Sequence, residues 1–392
     1  MKKYSMDRRD FLRTGTAAVS ATLAGKAVAV DADTAQHAAS KERAQEMKVI
    51  LWCWDARMTW DDEPEAIARK MAAAEQAFPY LKQPEAYLVG GKRLIDYCSK
   101  IGVDGVILWG FLRDCHGGVA AAQELCRYAS DKGVAILPGV GLCAYGGYYF
   151  EGDHRFNLGS YLRKHPERAS EAHEEHSDRT VAPVLDPALE ANQQWWRDGL
   201  EWMLETFEVG GVDFEMGDFI VNPSSQAKQA REALSFAANG NILDTVVATQ
   251  DLLERAFEWM PEGIFINSTY RGYHQIAGFP RMPYLDAVPQ RTVWQYTLRN
   301  MVRQDAFPQG FLGAPEHRKY GYLHWFNPST DTTEKDYVPE IARVFPGLHR
   351  LGFEFAGTYG EISARANPLA DRNYRAQVAW ARNPELTLDA FG

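Results

Sequence analysis

Two acids, Asp213 and Glu215, stand two residues apart inside the apolar run Gly211-Val212-Asp213-Phe214-Glu215-Met216. In an extended strand successive side chains alternate between faces, so the two carboxyls share one face while Val212, Phe214 and Met216 share the other. A carboxylate removed from water without a partner is costly, so acids on a core strand signal a polar site, an ion pair or a metal. A structural pairing with Arg57 or Arg113 is the simpler use of such acids. Acid catalysis is the other. Of two neighbouring carboxyls one keeps its proton to higher pH, because adjacent negative charges repel, and it can deliver that proton to a poor leaving oxygen. Asp218 follows closely as a third acid.

The elements that must position these residues show in the alternation of short apolar runs with amphipathic stretches, the pattern of parallel β/α construction. Strands are expected over 48–54, 103–111, 134–142, 211–216, 263–268, 291–296, 319–325 and 352–357, and helices over 63–77, 118–132, 188–206, 242–259 and 338–349. Eight strands interleaved with helices predict an α/β fold, a (β/α)8 TIM barrel in one domain spanning 47–392. A doubly wound open sheet would want a glycine-rich phosphate turn after an early strand, and Trp52-Cys53-Trp54-Asp55 is nothing of that kind. Residues 143–183 form a long loop after strand three, with Tyr145, Tyr148, Tyr149 and Phe150 at its start, suited to a lid or a substrate wall.

In a barrel, residues at the C-terminal ends of strands converge on one mouth. Those positions hold Trp54, Asp55 and Arg57, then Arg113, Asp114 and His116, then Tyr145, then Asp213, Glu215 and Asp218. Asn267 and Tyr270, Trp294, Gln295 and Tyr296, His324 and Trp325, and Tyr359 and Glu361 complete the ring. Such a mixture of polar and aromatic groups favours a pocket, and rings that stack on the C–H faces of sugars beside acids that bind hydroxyls suit a carbohydrate. Trp195, Trp196 and Trp202, at helical spacing, are core instead. His116, His154, His274 and His324 with Asp114 and Asp213 are the possible metal ligands, but none has His-x-His or His-x-x-x-His spacing, so neither a metal nor a cofactor is expected.

Leu185-Asp186-Pro187, a helix with Trp195-Trp196 and Trp202, and then Gly210-Gly211-Val212-Asp213-Phe214-Glu215 resemble the approach to strand four in retaining barrel glycoside hydrolases, broadly the chitinase-like and hexosaminidase-like groups. The resemblance covers some forty residues closely. It implies hydrolysis of glycosidic bonds in an oligo- or polysaccharide, with Glu215 as general acid and Asp213 tuning it. Many such enzymes carry a nucleophilic glutamate at the end of strand seven, where this chain has Tyr320-Gly321-Tyr322-Leu323-His324-Trp325-Phe326-Asn327. Asp218 is then the first candidate for the second carboxylate, Glu361 the second and Asp55 a third, unless a substrate acetamido group attacks with Asp213 orienting it. A glycan-binding barrel without catalysis and a metal-dependent sugar isomerase or lyase are the alternatives.

The N-terminus reads as an address. Lys2 and Lys3 precede Asp7-Arg8-Arg9-Asp10-Phe11-Leu12-Arg13, an uncharged stretch over 14–25 and the small-residue site Ala27-Val28-Ala29. This resembles a twin-arginine signal peptide over 1–29, followed by a flexible 30–46, and implies a folded protein exported to the periplasm or beyond. Asp7, where Ser or Thr is usual, and Arg13, where Lys is commoner, depart from the pattern. The leader's net +4 taken from the whole-chain −10 leaves about −14, which argues against nucleic acid or an anionic membrane surface as partner. No later stretch is apolar enough to span a bilayer. Five cysteines lack a Cys-x-x-Cys pair; Cys115 with Cys143 is a conceivable disulfide, and an odd count leaves at least one thiol free.

Overall fold

Eight short runs rich in Val, Ile, Leu and aromatic residues pair side by side, all parallel, until the last meets the first. The computed structural model describes residues 46–61, 83–175, 177, 179–218, 220–268, 283–298, 317–323, 335–365 and 367–392. The barrel strands are β1 (Lys48–Trp54), β2 (Gly105–Trp109), β3 (Ala135–Gly141), β6 (Gly211–Glu215), β8 (Ile264–Ser268), β9 (Val293–Thr297), β10 (Arg318–Tyr322) and β11 (Phe355–Gly357). They close in the order β1-β11-β10-β9-β8-β6-β3-β2. With helices between its strands, the chain is the (β/α)8 barrel that the sequence predicts.

Helices α1 (Pro84–Ile101) and α2 (Gly118–Asp131) follow β1 and β2, and α4 (Glu190–Thr206) leads into β6. The helix Gly240–Trp259 leads into β8, Val338–Arg350 into β11, and Pro368–Arg382 packs on β1. Alternation sets both layers of core. Phe214 turns outward to stack on Phe265, which meets Phe257 of the helix shell edge-on. The opposite face of each strand fills the barrel: Trp52 lies 6.0 Å from Trp54, 6.2 Å from Trp109 and 5.8 Å from Tyr322, ring centre to ring centre. This aromatic plug is the floor beneath the mouth. The expected helix over 63–77, the leader over 1–29 and nearly all of 30–46 lie outside the described residues.

The segment after β3 is more ordered than a loop. It holds α3 (Leu158–Lys164) and the hairpin β4 (Ala169–Glu174) and β5 (Arg179–Leu185). A two-residue strand, β7 (Ile220–Val221), pairs antiparallel with β4 to complete a three-stranded sheet. Because β7 begins five residues beyond Glu215, this sheet is tied to the carboxyl end of β6. Among the described residues no helix is long and apolar enough to cross a membrane. All five cysteines are free thiols, with Cys143 against Met216 Sδ at 3.8 Å and Cys115 donating to Glu151 at 3.1 Å.

Candidate active site

Asp213 and Glu215 are both buried on the inner face of β6, as period-two alternation requires. Asp213 is fully enclosed. Trp109 Nε1 donates to its Oδ2 at 3.1 Å, and Ser268 Oγ, at the end of the adjacent β8, contacts its other oxygen. Ser268 Oγ also lies 3.0 Å from Gln295 Oε1 on β9. A hydroxyl carries one hydrogen and serves one of these acceptors, so the other contact requires a protonated Asp213 or a Gln295 amide turned to present its NH2. Burial pushes Asp213 up to about 7, against the pull of the hydrogen bonds from Ser268 and Trp109.

The Trp109 ring reaches Asp213 across Gly139 of β3, whose in-register partner is Asp213 itself. A Cβ at 139 would stand 2.5 and 2.6 Å from two indole atoms, so only glycine leaves this passage open. Trp54 stacks on Trp109 at 5.8 Å and 7°, and Tyr145 and Phe150 meet Trp54 edge-on at 6.4 and 5.7 Å.

Glu215 stands one strand step above Asp213 and its carboxyl is held well above the usual carboxylate range, first by burial, then by the charge of Asp218 and that of Asp213. Among the described residues its Oε1 is buried without a hydrogen-bond partner. Asp218 sits at the exposed lip of the turn after β6, where its backbone N–H donates to Tyr145 Oη at 3.3 Å. Burial raises Asp218 too, while contacts with Glu215 and Tyr145 pull it back. Glu361 lies beyond β11, which stands opposite β6 in the ring of eight. Its Oε1 accepts the Trp54 backbone N–H at 3.0 Å, and its buried Oε2 has no partner among the described residues. Burial pushes Glu361 up to about 8, with Arg57 pulling it down.

Other expected site residues are placed differently. Asp55 and Arg113 are spent on each other: Arg113 Nε and Nη2 donate to the Asp55 carboxylate at 2.6 and 3.2 Å, with Arg113 over the Phe150 ring at 4.3 Å. His116 stacks on Tyr87 at 4.5 Å with Nδ1 3.5 Å from Asp55, so it completes that buried cluster. Asn267 alternates away from Ser268 and donates to Thr249 Oγ1 of the helix shell at 2.9 Å. Trp294 alternates away from Gln295 and packs on Tyr284 at 5.0 Å. Tyr359 is buried edge-on to Trp52 at 5.2 Å, within the plug. Tyr270, His324 and Trp325 lie outside the described residues. Ser268 is the member that the sequence reading passed over, although a small hydroxyl ending an apolar run was its signal. Among the described residues no group of three or more His, Cys, Asp or Glu is placed to hold a metal ion.

Fold and site together define a (β/α)8 barrel with an acidic, aromatic mouth. The sequence matches no protein-family model and no curated protein. Among solved structures the chain is similar to an alpha-amylase from Geobacillus thermoleovorans complexed with acarbose, at a TM-score of 0.50 and 9% identity over 87% of this chain and 81% of that one. It is also similar to a GH20 exo-β-N-acetylglucosaminidase from Vibrio harveyi in complex with N-acetylglucosamine (TM-score 0.48, 11% identity, 88% of this chain) and to the GH36 alpha-galactosidase AgaA from Geobacillus stearothermophilus (0.46, 12%, 85%). The chain spans 56% of the glucosaminidase and 41% of the galactosidase. These likenesses are likenesses of fold.

Proposed function

We propose that this protein is an exported glycoside hydrolase in which Glu215 is the general acid. One observation carries the proposal: a glutamate at a barrel strand end, buried, with its carboxyl pushed well above the usual carboxylate range by enclosure and by the charge of Asp218, and presenting an oxygen that no described group engages. Cleavage of a glycosidic bond needs such a proton at the leaving oxygen, and a second group to meet the oxocarbenium-like transition state. A barrel hosts many chemistries, so the support comes from the site and not from the shared fold.

Asp213 acts beneath Glu215 as a positioning residue, fixed by Trp109 and Ser268. Asp218, on the turn that follows β6, raises Glu215 by its charge and so tunes the acid. The second carboxyl is then Glu361, across the mouth on the opposite side of the ring. The Trp54 ring, half-exposed between walls of Tyr145 and Phe150, offers a stacking surface for a neutral sugar.

Release of reducing ends from a panel of oligo- and polysaccharides tests the activity. Glu215→Gln is expected to slow the active substrate by about 10²- to 10⁴-fold while calorimetric glycan affinity stays within about threefold. Turnover by this variant at the wild-type rate overturns the assignment. Export is tested separately by fusing residues 1–34 to a folded fluorescent reporter: periplasmic signal is expected, and is lost when Arg8 and Arg9 are both replaced by Lys. Reporter retained in the cytoplasm with the intact leader refutes it.

A further inference from the structure

Thr297 ends β9, and two neighbours fix the face it presents. Gln295, two residues before it, lies inside the barrel against Ser268 Oγ, and Tyr322, its in-register partner on β10, belongs to the aromatic plug through Trp52. By both tests the Thr297 side chain points into the barrel at its carboxyl end, the end that carries Glu215. Thr297 is 8% exposed, and its buried Oγ1 has no hydrogen-bond partner among the described residues. A buried hydroxyl left without a partner is costly, so one in a native fold calls for a water, an ion or a ligand that engages it. Glu215 Oε1, at the end of β6, is buried and unengaged in the same way. One strand, β8, separates β6 from β9 in the ring, so their backbones run about 10 Å apart and neither group serves the other.

The two walls of the barrel set the chemistry of the visitor. Inward positions of β6, β8 and β9 hold Asp213, Glu215, Ser268, Gln295 and Thr297 and no base, so this wall repels an anionic ligand. The wall directly opposite, formed by β11, β1 and β2, is aromatic, with Trp54 half-exposed beside Trp52 and Trp109. A neutral sugar matches both walls: its C–H face lies on an aromatic ring, and its hydroxyls donate and accept as a threonine hydroxyl does. From this placement we infer that Thr297 is a substrate-binding residue, its Oγ1 hydrogen-bonded to a ring hydroxyl of a neutral sugar whose apolar face rests on Trp54. The inference rests on the carbohydrate reading above and adds a specificity determinant to it. A sugar that lacks this hydroxyl, or turns it the other way, leaves Oγ1 buried and unpaired and is rejected for that reason.

The experiment is calorimetry on the full chain with the methyl α- and β-glycosides of glucose, galactose and N-acetylglucosamine, each beside its monodeoxy counterparts. Thr297→Val is expected to bind the parent sugar about three- to tenfold more weakly, the loss of one hydrogen bond. It should show no further loss on the one deoxy sugar whose missing hydroxyl Thr297 holds, while keeping the wild-type losses on the others, a coupling that a bystander hydroxyl does not produce. Thr297→Ser, which keeps the hydroxyl, should retain most of the parent affinity. Urea unfolding gives a second readout: because the hydroxyl has no partner within the protein, the midpoint of Thr297→Val is expected to be unchanged or raised. A lowered midpoint overturns the inference, as do equal losses on every deoxy sugar in wild type and Thr297→Val, or a wild type that binds none of these sugars. Calorimetry reads binding whether or not a bond is cleaved. Coupling intact without hydrolysis refutes the reaction and spares this role of Thr297; hydrolysis that depends on Glu215 but shows no coupling does the opposite.

Discussion

Gly139→Ala adds a single methyl group, and the structure says where it goes. The new Cβ would lie 2.5 and 2.6 Å from two atoms of the Trp109 indole, whereas non-bonded carbons rest at about 3.5 to 4.0 Å, so the ring must retreat by about 1 Å. It has little room to do so. Trp54 is stacked on it at 5.8 Å, Tyr145 stands edge-on at 6.0 Å and Trp52 lies at 6.2 Å. A shift of that size carries the 3.1 Å bond from Trp109 Nε1 to Asp213 out of hydrogen-bonding range. Overpacking of this kind costs about 1 to 3 kcal/mol, and the lost bond to a buried carboxyl about 1 to 2 more, so a destabilisation of about 2 to 5 kcal/mol is expected. Urea unfolding measures it as a lowered midpoint at unchanged m-value. In a Trp109→Ala background the same methyl meets a void, and the cost should fall below about 1 kcal/mol, a coupling that a double-mutant cycle isolates. A cost under about 0.5 kcal/mol in the wild-type background, with unchanged near-UV circular dichroism, would refute this picture of the barrel floor.

Three further outcomes follow. Arg113→Met takes the guanidinium from the fully buried Asp55 carboxylate and should destabilise the fold by about 3 to 5 kcal/mol, largely recovered when Asp55→Asn is added; an equal loss in the double variant contradicts the pairing. Burial raises Asp213 to about 7, Glu361 to about 8 and Asp244 to about 6, so between pH 4 and 8 the folded chain binds more protons than the unfolded one. Stability therefore falls as pH rises through that window, by several kcal/mol at most, with Asp213→Asn flattening the slope; urea midpoints that rise from pH 5 to pH 8 would exclude it. If Glu361 is the second carboxyl it must be anionic to act, so the ascending limb of kcat/KM is expected near pH 8 and absent in Glu361→Gln; a limb near pH 4 in the wild type points to another group.

How far the sequence reached depends on what each inference needed. The barrel was legible because period-two runs and amphipathic stretches are local, and Asp213 and Glu215 share a face for the same reason. Strand limits were less so: the run over 103–111 is apolar apart from Asp104, but only Gly105–Trp109 pairs with β1 and only Gly105–Leu108 with β3. The sheet over the mouth was hidden because β7 is two residues long and β5 carries Pro183, leaving neither a clean alternation. Asn267 and Trp294 were expected at the mouth because they lie near the ends of their runs, yet which residue of a pair faces inward is set by register. Glu215 pairs with Ser268, not Asn267, and no local pattern reports that. Asp55 and Arg113 were each read as free to bind substrate; their mutual attachment spans 58 positions and exists only in the fold.

The claim that Glu215 delivers the proton is tested most directly by leaving groups. With the sugar that the glycan panel identifies, two glycosides are compared in wild type and Glu215→Gln: an alkyl glycoside, whose departing oxygen needs a proton, and a dinitrophenyl glycoside, whose does not. A general acid predicts a loss of about 10²- to 10⁴-fold on the alkyl substrate, with bond cleavage in the dinitrophenyl substrate within about threefold of wild type. An equal loss on both substrates, or no loss on the alkyl glycoside, would contradict the account.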